Sequence, residues 1–300
     1  MPRSRQGKNM QLRWKASFSA SCLHAAACMS EGLPVADSTI AAALYPPTEA
    51  LRDELYACGL AIESALPLLV ALAADYESNH QLVEMAVRRM QGAGAIGEAA
   101  IARLTGCITD LEAAWLREQP ALVDELAVRG RPLREQWEAR GPGLLRAITR
   151  LTVENFIAPS AEVVLVSPLV GGHGRAYLPS NRVTFEAVLT NPTPELPETL
   201  RLGWLLSQLN LDVPVLSEPM SQHRLPRLAR LATLPLVLAA AESVELATLD
   251  EATLARAIEC WYLAPTLPDE IPQKLLDWWQ AYESSSTRWP VAMMALDQML

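Results

Sequence analysis

The chain has 300 residues, half of them hydrophobic, with 20% charged residues and a formal net charge of -9. That length and apolar content support a sizeable core of one large or two modest domains. An acidic chain repels phosphate backbones, so nucleic acid is excluded as the expected partner.

The one basic run stands at the start, as Arg3, Arg5, Lys8, Arg13 and Lys15. With the Gly and Ser residues around them they predict a flexible basic leader over residues 1–36, with Met10 as an alternative start. The small-residue stretch 16–27 that follows is diluted by three serines, Cys22 and His24, which argues against a secretory segment and for a cytoplasmic protein. No run reaches the ~18 apolar residues of a membrane span. Five scattered cysteines (22, 28, 58, 107 and 260) suit reduced, buried thiols. Cys22, His24 and Cys28 offer three soft donors, one fewer than a structural zinc site uses, so no metal and no other cofactor is expected.

From residue 37 to 156 the pattern is helical. Asp37 and Ser38 open the first element, and Pro46-Pro47-Thr48 reads as a break with Thr48 capping a new helix. Ile101, Leu104, Ile108, Leu111 and Trp115 form one apolar stripe, interrupted at Pro120 and resumed by Leu122, Leu126, Leu133 and Trp137. Gly141-Pro142-Gly143 reads as a second break. Gly92, Gly94 and Gly97 match G-x-G-x-x-G literally, but the preceding residues have helical period, and a dinucleotide site needs a strand there. The match therefore reads as a turn between helices.

Residues 157–300 read as α+β. Val163–Val166 is apolar on both faces, as a covered strand would be. Gly171, Gly172 and Gly174 predict a hairpin turn that carries His173. Val183, Phe185, Ala187 and Leu189 alternate with polar positions including Glu186, the pattern of a half-exposed edge strand. Helices follow at 199–210 and 225–245, and Thr248 to Glu251 forms a capping box for the stripe Leu254, Ala257, Ile258 and Trp261. His223 stands near Arg224 and Arg227, a cationic cluster of the kind a solvated helix face also shows. Adjacent Trp278 and Trp279 are expected to face different ways, one into the core and the other exposed or at an interface. The fold class is thus α+β and mostly α, with a helical N-terminal half and a small mixed or antiparallel sheet at about 162–189 packed with C-terminal helices.

The order of helix, inner strand, glycine turn, strand, proline-bounded loop and helix from Leu144 onward resembles the core of gluzincin-type metalloproteases. In that family the edge strand lines the substrate cleft and the next helix carries His-Glu-x-x-His, which binds zinc and activates water. Residues 183–189 resemble that strand and 197–211 that helix, with Glu242 or Glu245 nearest to a third ligand. At the motif position stand Arg201, Leu202, Gly203, Trp204 and Leu205, which neither ligate zinc nor accept a proton from water. The resemblance therefore implies a degenerate fold without zinc chemistry. The expected function is non-catalytic: a cleft beside the edge strand that holds a peptide or protein partner. The alternative is a hydrolase with a dispersed site. His173, Glu186, Arg201, Trp204 and His223 are the candidate binding residues.

Overall fold

The computed structural model describes residues 10–92, 96–153, 155–188, 190–191, 193–218, 220–221, 224–263, 269–285 and 287–300. In chain order, β1 (Gln11–Ala16) and α1 (Phe18–Ser30) are followed by α2 (Ser38–Ala57), α3 (Ile62–Ala73), α4 (Asn79–Gln91), α5 (Glu98–Glu118) and α6 (Leu122–Leu151). Next come β2 (Ser160–Val166), β3 (Gly174–Tyr177), a 3-10 turn at Leu178–Ser180 and β4 (Arg182–Glu186). The chain closes with α7 (Glu198–Ser207), α8 (Pro214–Ser217), α9 (Leu225–Glu242), α10 (Glu251–Cys260), α11 (Ile271–Ser284) and α12 (Trp289–Met299). The fold is α+β and mostly helical, with one four-stranded mixed sheet ordered β1-β2-β4-β3. β1, β2 and β4 run parallel, and β3 is antiparallel to β4.

The sheet is the middle of three layers. On β2, Val164 and Val166 enter a core built with α1 to α5, while Val163 and Leu165 enter a second core built with α6, α7 and α9 to α12. A strand covered on both faces needs apolar residues at every position, which is why 163–166 reads as a continuous run. On β4 the alternation has a different meaning from the expected one. Val183 and Phe185 join the C-terminal core. Arg182, Thr184 and Glu186 face the N-terminal helices and are equally buried. β4 is therefore no edge: it lies between β2 and β3, and its polar face meets protein rather than water.

Four other expectations change. The leader is part of the fold from Met10 onward, since β1 pairs with β2 over its whole length and Ala20 to Cys28 of α1 are buried. The small residues of α1 let it sit close to the sheet and to α3, and Ser17 caps it by accepting from the Ala20 amide. Arg13 and Lys15 form ion pairs with Glu162, and Lys15 also reaches Asp75. Next, α2 runs unbroken through Pro46 and Pro47, with Asp37 as its cap and Thr48 buried inside it. Likewise α6 continues through Gly141-Pro142-Gly143, where a side chain at Gly141 would collide with the Trp137 ring. In both helices the apolar face is buried over the whole length, and that packing outweighs local breaker signals. Finally, Asp250 caps α10 through the Thr253 amide, two residues beyond the expected Thr248. Of the literal glycine motif, residues 93–95 lie outside the described residues.

Candidate functional site

The site grows from the end of β4. Glu186 is fully buried, and its carboxylate accepts backbone amides along the loop from β2 to β3. Oε1 accepts from Leu169 and Val170 at 3.0 Å each, and Oε2 from Gly171, Gly172 and His173 at 2.8, 2.7 and 3.0 Å. Turning five successive amides onto one carboxylate needs left-handed backbone, supplied at Gly171 (φ 98°) and Gly172 (φ 145°). The expected hairpin turn is therefore a wrapped anion site, and it cannot be a hairpin, because β4 stands between β2 and β3.

Arg201, from the first turns of α7, locks this loop from the other side. Its Nη1 donates to the His173 carbonyl at 2.7 Å and its Nη2 to the Glu186 carbonyl at 2.9 Å. It also pairs with Glu198, and its guanidinium lies 3.9 Å above the centre of the Phe185 ring. Trp204 is one turn further into the core, stacked on Trp261 and donating to the Arg230 carbonyl. It packs α7 against α9 and does not join the polar cluster. His223 lies outside the described residues.

Two residues from α1 complete the cluster. His24 Nε2 sits 3.2 Å from Glu186 Oε1, and the same nitrogen is 3.5 Å from Cys28 Sγ. Cys28 Sγ is in turn 3.7 Å from His173 Nδ1, and the two imidazole rings lie 5.3 Å apart. All are buried. Burial works to lower the pKa of His24, but the Cys28 sulfur and the Glu186 carboxylate carry it up to about 10. Burial pushes His173 well below the usual histidine value, and His24 and Arg175 add to that. For Glu186, burial opposes ionisation, yet His24, His173 and the Val170 amide hold it well below the carboxylate range. The donor atoms of His24, Cys28 and His173 all lie within 4.8 Å of one another, so these three could hold a metal ion. The sequence signal for two of them existed, as donors at i and i+4 of one helix. The third comes from 145 residues away, which no local spacing shows.

A cleft of about 560 Å³ opens beside this cluster. Its floor is β3 and the turn after it, from Arg175 to Ser180; α3 walls one side and the start of α9 the other. Glu31, which follows α1, reaches the cleft and makes short ion-pair contacts with Arg175. Arg89, Arg227 and Arg230 also line it and make no ion pair among the described residues. Burial and the neighbouring Arg175 lower the Arg230 pKa to about 10, Glu31 works against that shift, and Glu63 and Asp212 also line the cleft. Compared with known proteins, the chain matches no protein-family model, no curated protein and no solved structure.

Proposed function

We propose that the protein is a binding protein whose cleft beside β3 receives a short, extended, acidic peptide. The observation that carries this reading is an edge strand along a cleft that holds Arg89, Arg175, Arg227 and Arg230 beside Glu31, Glu63 and Asp212. The Glu186 amide donates to the His173 carbonyl, so the ladder alternates and places Arg175 and Tyr177 in bonded pairs with β4. That phase turns the backbone N–H and C=O of Ala176 outward, where an added strand would pair with them. Apolar walls from Pro67, Leu68 and Leu225 suit alternate side chains, and Arg89, Arg227 and Arg230 suit carboxylates.

The role of the edge strand thus passes from β4 to β3, while the binding class stays as the sequence suggested. A hydrolase reading would place Cys28 and its two imidazoles at the reacting atoms. The binding reading is better supported, because Cys28 is buried at 2% exposure and both His24 contacts use one nitrogen, unlike the relay of a nucleophile triad.

The test is fluorescence anisotropy with labelled Val-Glu-Val-Glu-Val and its Lys counterpart. The acidic peptide is expected to bind at micromolar strength. Arg230→Gln or N-methylation of the central amide should weaken it at least about tenfold. Equal binding of the two peptides, or equal competition by free acetate, would overturn the reading.

A further inference from the structure

We propose that His24, Cys28 and His173 form a binding site for a zinc-class divalent ion, set between α1 and the loop before β3. Three features carry this inference independently of the peptide reading.

The first is spacing. A zinc ion holds sulfur at about 2.3 Å and imidazole nitrogen at about 2.05 Å, and at the tetrahedral angle those bonds put S and N about 3.6 Å apart. Cys28 Sγ lies 3.5 Å from His24 Nε2 and 3.7 Å from His173 Nδ1. Both sulfur-to-nitrogen separations thus match coordination to one ion, and all three donors lie within 4.8 Å of one another.

The second is preorganisation by the surrounding shell. His173 sits on a loop whose amides are gathered by Glu186 and whose carbonyl is held by Arg201. His24 and Cys28 are one turn apart on a buried helix, so their relative position is set by helix geometry. Ligands fixed in this way lose little freedom on binding metal.

The third is charge. A divalent ion brought to 0–2% exposure needs two negative charges close by. Cys28 coordinates as thiolate and supplies one. Glu186, 3.2 Å from the His24 nitrogen, supplies the other. The donor chemistry chooses the metal: thiolate with imidazole suits zinc, whereas calcium and magnesium take oxygen. Three protein donors leave a fourth position open.

The full-length protein, stripped with chelator and dialysed against Zn²⁺, should retain one equivalent by metal analysis. Co²⁺ in its place should give a tetrahedral visible spectrum with a sulfur-to-metal charge-transfer band. Cys28→Ala should abolish that band, and His173→Gln should weaken zinc binding at least about 100-fold. Cys58→Ala, which alters a thiol elsewhere, should leave both readouts unchanged. Circular dichroism establishes that each variant is folded. Failure of the wild-type protein to retain zinc overturns the site whatever the variants do. A charge-transfer band that survives in folded Cys28→Ala overturns it as well. Loss of peptide binding with zinc retained would sink only the reading of the cleft.

Discussion

A buried carboxylate without partners carries a desolvation cost of several kcal/mol, so the stability of Glu186 rests on its five amides and on His24. Glu186→Gln keeps the shape but removes the charge and turns one acceptor into a donor facing amide donors. We expect a loss of about 3 kcal/mol, read from urea unfolding. In the protein stripped of metal, the same cluster sets a pH dependence. The titratable and charged groups facing one another are His24 and Cys28 from α1, His173 from the loop, Glu186 from β4 and Arg175 from β3. The folded pKa of His24 is raised, so its contribution is complete below the unfolded value of about 6.5 and is lost as pH rises through about 10. The folded pKa of His173 is lowered, so the unfolded chain takes up a proton first and stability falls as pH drops below about 6.5. Glu186 is also lowered, and adds a further loss below about 4.3. Stability should therefore peak near about pH 6.5, and thermal melts between pH 4 and 10 that show a plateau to pH 9 would contradict the paired assignment of the two histidines.

At the scale of elements, the strand β3 is held in a narrow slot. A side chain at Gly174 would stand 2.8 Å from the Thr184 carbonyl oxygen and 2.7 Å from Leu205 of α7. The carbonyl belongs to the ladder partner and cannot move away, so β3 or α7 would have to shift. Gly174→Ala is expected to cost about 2 kcal/mol and to disturb the cleft floor, lowering both the melting temperature and peptide affinity. Gly171 and Gly172 do a different job, since their left-handed backbone is what turns amides inward. The alternation of β4 shows how an element can be read correctly in period and wrongly in setting. Period two marks two unlike faces, but whether the polar face meets water or a buried polar cluster depends on what covers it. Here α1 and α3 cover it, with Arg182 bonded to the Ala71 carbonyl and to Asp75.

For the whole molecule, one sheet serves two cores, so the halves of the chain are expected to unfold as a single cooperative unit. Side chains of β2 enter both cores. Unfolding followed by far-ultraviolet circular dichroism and by tryptophan fluorescence should therefore give coincident transitions. β1 closes one side of the sheet, so a variant beginning at Ser17 would expose the whole of β2 as an unpaired edge. That truncation is expected to aggregate or to melt well below the full chain, as judged by size exclusion and circular dichroism. A monomer with unchanged melting would show that β1 adds nothing.

By itself the sequence determined the local content of this protein: helical stripes such as Ile101 to Trp115, the covered run 163–166, and the placing of His173, Glu186 and Arg201 close together along the chain. Those features are legible because periodicity and burial act over a few residues. Only the tertiary structure decided that the N-terminal segment is β1 and α1, that Glu186 is buried, and that His24 and Cys28 meet His173. Parallel pairing joins residues about 150 positions apart, and no local pattern encodes which distant strand will cover another. The polar face of β4 is the clearest case. Its residues announced a boundary, and the packing of α1 against the sheet turned that boundary from solvent into a site.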